Sequence, residues 1–492
     1  MKEHVRDERS SFDAVSLLCL LALLAITAAN GILNNSIYPY VAGYFGVARE
    51  ISTIAGGVVI LAVYFVAVYR PSLLDARLFL VISAGCAVTA GFVLVVGMGA
   101  ESGALTTVGF VFMQILMVWA DIVTVLSLST LEAKKSLACV AFGIAIGELL
   151  ATVIPTLDPA VAVVVYMPIF LIIVIALYPL SAKVLESIAS EEVPADLELT
   201  NPDSFPRPSN PFFICTLFLG LAMGYGLTLN AVENAPAYSS IQGLVLVVVA
   251  IWLVASRDHD KMDRLFSLSV LAVIAGLIMV PHTFSNDVAA ANVLMRIGVK
   301  SFEMLLWIVA LSIGRRNLLA LLSTFAFAQA AMSIGVDIGS TLGNLTDNLV
   351  ATSTELPTLI AEVALFAFIA FLWLAFRRFS FSDVIQGVAA LRPASAVAPR
   401  EGASADDEPQ VDGKQRPPAD FDEAVAALSA KHGLTPRETE VFALLARGRN
   451  GQAIMDKLVI SRNTMKSHCR RIYAKLGVHS QQELIDLVED AA

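Results

Sequence analysis

Charge is scarce in this chain. Of its 492 residues only 15% are Asp, Glu, Lys or Arg, where soluble domains carry about a quarter, and 57% are hydrophobic. Such a chain cannot be wrapped entirely around water-facing cores, so most of it must meet lipid. Cysteine is scarce as well. Cys19, Cys86, Cys139, Cys215 and Cys469 are odd in number, sit mostly in apolar runs and show no CxxC spacing, which excludes a disulfide framework and a zinc site. Catalytic signatures are missing: no glycine loop precedes a Lys-Ser/Thr pair, no His-Glu-x-x-His occurs, and there is no nucleophile elbow. The expectation is a non-enzyme with no cofactor and no metal. The net charge of −10 speaks against a nucleic-acid partner only on average, because the acids cluster in loops and linker and hide one basic segment.

What is present is first a set of twelve apolar runs, each able to cross about 30 Å of hydrocarbon at about 20 residues. Their cores are 14–34, 51–69, 78–99, 104–128, 137–156, 160–180, 211–232, 240–256, 265–284, 289–311, 317–337 and 357–376. The first run follows Lys2, Glu3, Arg6, Asp7, Glu8 and Arg9, exceeds the length of a signal peptide's apolar core and lacks a clean A-x-A site, so it is expected to stay as a span.

Lys and Arg fall in alternate connections: Arg70 and Arg77, Lys134 and Lys135, Lys183 and Arg207, Arg257 with Lys261 and Arg264, Arg315 and Arg316, Arg377 and Arg378. Positively charged loops stay in the cytoplasm. The intervening loops hold almost none, Arg49 being the clear exception, so an even number of spans places both termini inside. The expected organisation is a cytoplasmic N-terminus at 1–13, a six-span half at 14–180, a Pro-rich acidic loop at 181–210, a second six-span half at 211–378, a flexible linker at 379–420 and a soluble domain at 421–492.

Six spans, a long cytoplasmic loop and six more resemble the major facilitator architecture, two six-helix halves around a midplane cavity. The resemblance covers residues 14–378 and rests on span count, loop pattern and polar placement. The loop Arg70-Pro71-Ser72-Leu73-Leu74-Asp75-Ala76-Arg77 echoes the family's Gly-x-x-x-Asp-Arg signature at Asp75 and Arg77 but lacks its glycines. Under the resemblance, spans one, four, seven and ten line the cavity. Polar groups on them are Asn30, Asn34 and Asn35; Asp121; Asn230 and Glu233; and Arg296, Lys300 and Glu303, with Glu148, Gln329 and Asp337 as lesser candidates.

Arg296, Lys300 and Glu303 stack on one face of span ten at i, i+4, i+7. Ionisable groups in a bilayer are functional candidates by default. Two readings compete. Either the two cations, which repel each other, bind an anionic or strongly polar small molecule, or Glu303, Asp121 or Glu148 already neutralises them in pairs that fix the packing. Asn230 and Glu233 lie at a span end, where water can solvate them.

The last segment is punctuated differently. Asp422 to His432 is a weakly amphipathic lead-in; Thr435-Pro436-Arg437-Glu438 is a capping box; Arg447-Gly448 ends that helix. Asn450 to Lys457 forms a short second helix, Val459-Ile460 a turn, and Ser461 caps a third helix that Gly477 stops. The third helix carries Arg462, Lys466, His468, Arg470, Arg471 and Lys475 and no acid. Ser480-Gln481-Gln482-Glu483 is a second capping box opening a last helix. A helix, a turn and a basic helix suit a major groove about 12 Å wide.

Leu434-Thr435-Pro436-Arg437-Glu438, Gly448, Ser461-Arg462-Asn463-Thr464-Met465-Lys466-Ser467-His468 and Lys475-Leu476-Gly477-Val478 resemble the LuxR/NarL-type helix-turn-helix domain from Leu434 to Leu484, with Met455 and Met465 replacing the usual Ala and Val. The resemblance implies base contacts by Lys466, Ser467 and Arg470 and phosphate contacts by Arg462, Asn463, Thr464, His468, Arg471 and Lys475. It also implies self-association through Leu484, Ile485, Leu487 and Val488. Five Lys or Arg between 462 and 475 fit the counterion-release footprint of double-stranded DNA.

The fold class expected is therefore all-α, a polytopic twelve-span helix bundle followed by a small soluble helix-turn-helix domain. The function expected is a transcriptional regulator embedded in the inner membrane of a bacterial cell, its bundle sensing a small molecule. The alternative is a secondary transporter of the facilitator type with a regulatory DNA-binding tail.

Overall fold

A computed structural model describes residues 13–190, 211–229, 239–258, 260–283, 288–350, 355–376, 380–386, 419–449, 451–478 and 481–491. Among these residues the chain is helical throughout and divides into two compact units, one built from the apolar helices and one from the C-terminal segment.

The helices of the first unit are α1 (Ala14–Ile32), α2 (Ala48–Tyr69), α3 (Ala76–Gly99), α4 (Gly103–Ser129), α5 (Ala133–Ala151), α6 (Pro159–Ser190), α7 (Pro211–Leu229), α8 (Ser240–Ala255), α9 (Lys261–Thr283), α10 (Val288–Arg316), α11 (Leu318–Val350) and α12 (Glu355–Phe376), followed by a short α13 (Phe381–Gln386). Each expected apolar run overlaps one of α1 to α12, although the run at 137–156 outlasts α5, which ends at Ala151. Eight of the described helices are long and apolar enough to cross a membrane, and α7 and α8 contribute shorter apolar stretches. The central loop is shorter than expected, because α6 runs on to Ser190. Lys183, Glu186 and Ser187 are exposed on that extension, and Ser187 donates to the Lys183 carbonyl at 3.0 Å. Asn230 and Glu233 lie outside the described residues.

Local chemistry sets several boundaries. Asp75 accepts from the Arg77 amide at 2.8 Å and starts α3; the Ser102 side chain caps α4. Pro39 lacks an N–H and its ring crowds the carbonyl four residues back, and directly before it α1 widens into a π turn, Leu33–Ile37, before continuing as Tyr38–Ala42. Asn34 and Asn35 sit in that turn. The Asn34 side chain donates to the Asn30 carbonyl at 2.8 Å.

The outer faces carry bare hydrocarbon. Val88, Phe92 and Phe366 are each about 70% exposed, as a surface wetted by lipid rather than water allows. Inside, small residues let helices close on one another. Gly220 and Gly224 of α7 face the backbone of α11 at Met332 and Val336, and Gly335 and Gly339 of α11 face the backbone of α7 at Leu217 and Leu221, so two small-xxx-small motifs interlock. Gly143 and Gly147 do the same for α5 against Leu23 and Thr27 of α1.

These contacts repeat with a shift of six helices. α1 meets α5 as α7 meets α11; α3 meets α4 as α9 meets α10; α3 meets α6 as α9 meets α12. The halves join through α5 with α8, where Gly243 abuts Leu149, and α2 with α11, where Tyr64 packs on Phe327 at 4.9 Å and Asn344 donates to Glu50 at 3.1 Å. A shift of six turns each of these two joints into the other, the relation a two-fold axis between halves requires.

The second unit has α14 (Ala419–Lys431), α15 (Pro436–Ala446), α16 (Gly451–Leu458), α17 (Arg462–Leu476) and α18 (Gln481–Glu489) around one core of Val441, Phe442, Leu445, Ile454, Met465, Cys469, Ile472, Leu484 and Val488 among others. Met465, fully buried, fills that core where the related domains usually carry Val. Burial pushes the Cys469 thiol up to about 12, so it serves as a small hydrophobe.

Candidate functional site

Two regions gather chemistry, one in each unit. In the bundle, Lys300 lies twelve residues into α10, about 18 Å along it at 1.5 Å per residue and near its middle. Its ammonium sits 3.0 Å from Glu148 Oε1 on α5 and 2.8 Å from Glu303 Oε2 one turn on. Gln242 of α8 donates to the other Glu148 oxygen at 2.5 Å. Asp121 of α4 lies within electrostatic range of both Lys300 and Glu303. The Glu148 side chain is wholly buried, whereas that of Glu303 keeps 29% of its surface.

The pairing that the second sequence reading describes is present at Lys300. Its charge is already met by two carboxylates, one from the opposite half of the bundle, so mutual repulsion with Arg296 is not what defines the cluster. Three carboxylates surround one ammonium, with half-buried Arg296 a turn away. Glu148, ranked low from sequence, is the central partner. Gln242 was missed altogether; a lone amide in the apolar run Ser240 to Ala255 was its signal. Asn30 and Asn34 are half-buried in α1 at the π turn.

A second joint lies at the end of the bundle. Asp263, in the first turn of α9, accepts from the Phe381 amide at 2.8 Å and from the Ser380 hydroxyl at 3.1 Å. Phe381 is fully buried, with its ring 5.1 Å from that of Phe266 and 6.0 Å from that of Phe212. The chain that leaves α12 is thus fastened back onto α9 and α7 before the linker begins. No sequence signal marked this contact.

In the C-terminal unit the expected caps at Thr435 and Ser461 form, whereas Ser480, the cap expected for α18, lies outside the described residues. Thr435 Oγ1 accepts from the Glu438 amide, and Glu438 Oε2 accepts from the Thr435 amide at 2.9 Å. Ser461 caps α17 by accepting from the Thr464 amide. Gly477 ends α17 in the left-handed conformation at φ 73°, with its amide on the Tyr473 carbonyl. The turn before α17 is set by Val459, which has φ 52° and is 89% exposed. Arg437 reaches across to the Leu458 carbonyl at 2.6 Å and so ties α15 to the end of α16.

α17 is two-faced. Met465, Cys469, Ile472, Tyr473 and Leu476 are buried in the core, while Thr464, Arg470, Arg471 and Ala474 are exposed and Ser467 and His468 half-buried. Its exposed face therefore presents Arg470 and Arg471 outward with Ser467 beside them. The side chains of Lys466, Arg462 and Asn463 lie outside the described residues, although their backbone is helical.

Lys475 is exposed, and its ammonium is 2.7 Å from Glu438 Oε2 and 2.8 Å from the Gly433 carbonyl, which ties α17 to α15. Burial alone would raise the Glu438 carboxyl, but hydrogen bonds from Lys475 and from Thr435 outweigh it and hold the group down at about 2. Leu484 and Val488 are fully buried in the domain's own core, with Leu487 packed partly against it. A nine-residue helix has one apolar stripe, and here that stripe is used inside the domain, which leaves half-buried Ile485 from the expected self-association set.

Comparison with known proteins follows the same division. Residues 432–488 match the family model of bacterial regulatory proteins, luxR family. The Fimbriae Z protein of Escherichia coli strain K12 is 43% identical over 53 residues, 11% of this chain and 25% of that protein. The uncharacterized response regulatory protein YgeK of the same organism is 38% identical over 66 residues, 13% of this chain and 45% of that protein. The chain thus covers less than half of either relative. The bundle is similar to the human organic anion transporter MFSD10, at 12% identity and a TM-score of 0.47, covering 74% of this chain and 98% of that one. It is also similar to the E. coli fucose:proton symporter FucP, at 15% identity and a TM-score of 0.40, covering 73% and 98%. The C-terminal domain is a LuxR-type helix-turn-helix, a DNA-binding module of transcription regulation.

Proposed function

We propose that this chain is a transcriptional regulator embedded in the cytoplasmic membrane of a bacterium, with twelve spans, both termini inside, and a bundle that senses a small molecule for the LuxR-type domain. One observation carries the reading. A DNA-binding domain shares its chain with a multi-pass bundle whose two halves are bridged by the buried Lys300–Glu148 pair. Alternate loop charges, the six-helix shift in contacts and the cytoplasmic requirement of a DNA reader support the topology.

In this mechanism Glu148 is the fixed partner of Lys300 and Glu303, more exposed and on the same helix, is the exchangeable one. A polar or anionic ligand entering beside Arg296 takes the place of Glu303 and changes the balance between two arrangements of the halves. The Asp263–Phe381 joint passes the movement of α9 and α7 to the start of the linker. On DNA, Lys466, Ser467 and Arg470 meet base edges, and Arg462, Asn463, Thr464, His468 and Arg471 meet phosphates or sugars. Lys475 holds the recognition helix in place, and a second copy docks beside Ile485.

The test is a reporter placed behind a promoter that the full chain occupies in cells, assayed across a panel of small carboxylates and sugars. Wild-type output should change with one class of compound, and Arg296→Gln with Lys300→Gln should abolish the change while occupancy persists. Unchanged ligand dependence in that double variant would refute the sensing role. A chain truncated before Asp420 separates tether from sensor, since a mere anchor would leave regulation intact apart from location. The transporter reading is favoured by the same Lys300–Glu148 bridge, which a rocking motion of the halves would have to break. Substrate flux in proteoliposomes that vanishes in Glu148→Gln would establish it.

A further inference from the structure

The second half of the bundle contains a cavity of about 440 Å³ among α7, α9, α11 and α12, away from the Lys300 cluster. Ligand pockets for small molecules run from about 300 to 1,000 Å³. Its wall is hydrocarbon and aromatic, with Phe218, Leu277 and Phe368 typical, and two hydroxyls interrupt it: Tyr225 and Thr346. Thr346 donates its own proton to the Leu342 carbonyl at 2.8 Å and can only accept further. Tyr225 is 4% exposed, and its hydroxyl is buried beside that of Thr346. A phenol hydroxyl at one end of an apolar wall can donate to an oxygen of an occupant whose body the hydrocarbon holds.

Depth gives the occupant its shape. Tyr225 is four residues from the end of α7 at Leu229 and Thr346 four from the end of α11 at Val350, about 6 Å from each helix end. Phe218 lies seven residues deeper along α7, about 10 Å toward the middle. The hydroxyls therefore sit near headgroup level and the apolar wall extends inward. We infer that this cavity binds an acyl amphiphile, with its hydrocarbon body against Phe218, Leu277 and Phe368 and its carboxyl or ester oxygen accepting from the Tyr225 hydroxyl. The inference goes beyond the sensing proposal and stands whether or not the site controls the tail. Two sources share this chemistry, a free fatty acid and the acyl chain of a bilayer phospholipid.

The experiment uses the full chain in nanodiscs of saturated phosphatidylcholine, titrated in one arm with a fluorescent conjugated-polyene fatty acid and in the other with a phospholipid carrying the same polyene chain. Saturable binding is expected in one arm, which identifies the source. Tyr225→Phe, which keeps the ring, should weaken it about 3- to 10-fold, the net worth of one hydrogen bond. Ala222→Trp, which fills the cavity, should remove it. Monodispersity and helical content matching wild type show that each variant is folded. Partitioning that never saturates, or saturable binding that folded Tyr225→Phe leaves unchanged, overturns the inference.

Discussion

The two units of this chain bury opposite things. The C-terminal domain hides Phe442, Ile472 and Leu484 and shows Arg470 and Arg471 to water. The bundle shows Val88, Phe92 and Phe366 and hides Lys300, Glu148, Gln242 and a series of glycines. Solvent makes the difference. In water, apolar burial drives packing and polar groups can stay outside; in lipid an exposed Phe costs nothing, so helix association falls to close backbone approach and to polar groups that have nowhere else to pair.

The comparison predicts where each unit breaks. Gly224→Leu should be the most damaging change, because a side chain there meets the Val336 carbonyl across the α7–α11 contact. Loss of a monodisperse, folded bundle in size-exclusion chromatography is expected, while Gly85→Leu, with nothing within 4 Å, should behave as wild type. In the tail, the same scale of damage needs the reverse operation. Phe442→Ala should cost about 3–5 kcal/mol in thermal unfolding of the C-terminal domain and remove DNA binding, without disturbing the bundle.

Glu148→Gln should cost about 3 kcal/mol of bundle stability by leaving part of a buried charge unpaired, and Glu148→Leu with Lys300→Met should regain most of it. A chemical-denaturation series on the three proteins measures this, and a double variant worse than the single one would show that the pair stabilises in its own right.

The smallest effect concerns pH. Glu438 is held at about 2 in the folded domain against an ordinary 4.5. A depressed carboxylate contributes stability that is complete above about pH 4.5 and is lost as pH falls through the folded value. About 2 kcal/mol should disappear over that acid window, discounting for the solvent that reaches Lys475. Glu438→Gln should flatten the pH dependence of the melting temperature between pH 5 and 2, and a slope equal to wild type would assign the acid sensitivity elsewhere.

Much of this was legible in the sequence, for reasons that differ by region. Each of the twelve apolar runs overlaps a helix, eight of them long and apolar enough to cross a membrane, because a segment in lipid must satisfy its own backbone, which ties helicity to local composition. The caps at Thr435 and Ser461 and the stop at Gly477 are short-range hydrogen-bond chemistry and were readable in the same way. The extension of α6 to Ser190 was not, since polar residues continue a helix at the interface without any apolar signal. The pairing of Lys475 with Glu438 and the burial of Leu484 and Val488 were also hidden. A basic helix face and an apolar stripe look the same in sequence whether they meet a partner molecule or the next helix of their own domain.

The amino-acid order by itself determined the division into a lipid-facing part and a DNA-binding part and the placement of the helices. Each of these depends on composition or on contacts within one turn. Only the tertiary structure decided that Glu148 pairs with Lys300 and Gln242 across the halves, that Asp263 fastens Phe381, and that Tyr225 lines an apolar cavity. Those partners lie from 94 to 152 residues apart in the pairs named, and no local rule carries information over such a distance until the helices have packed.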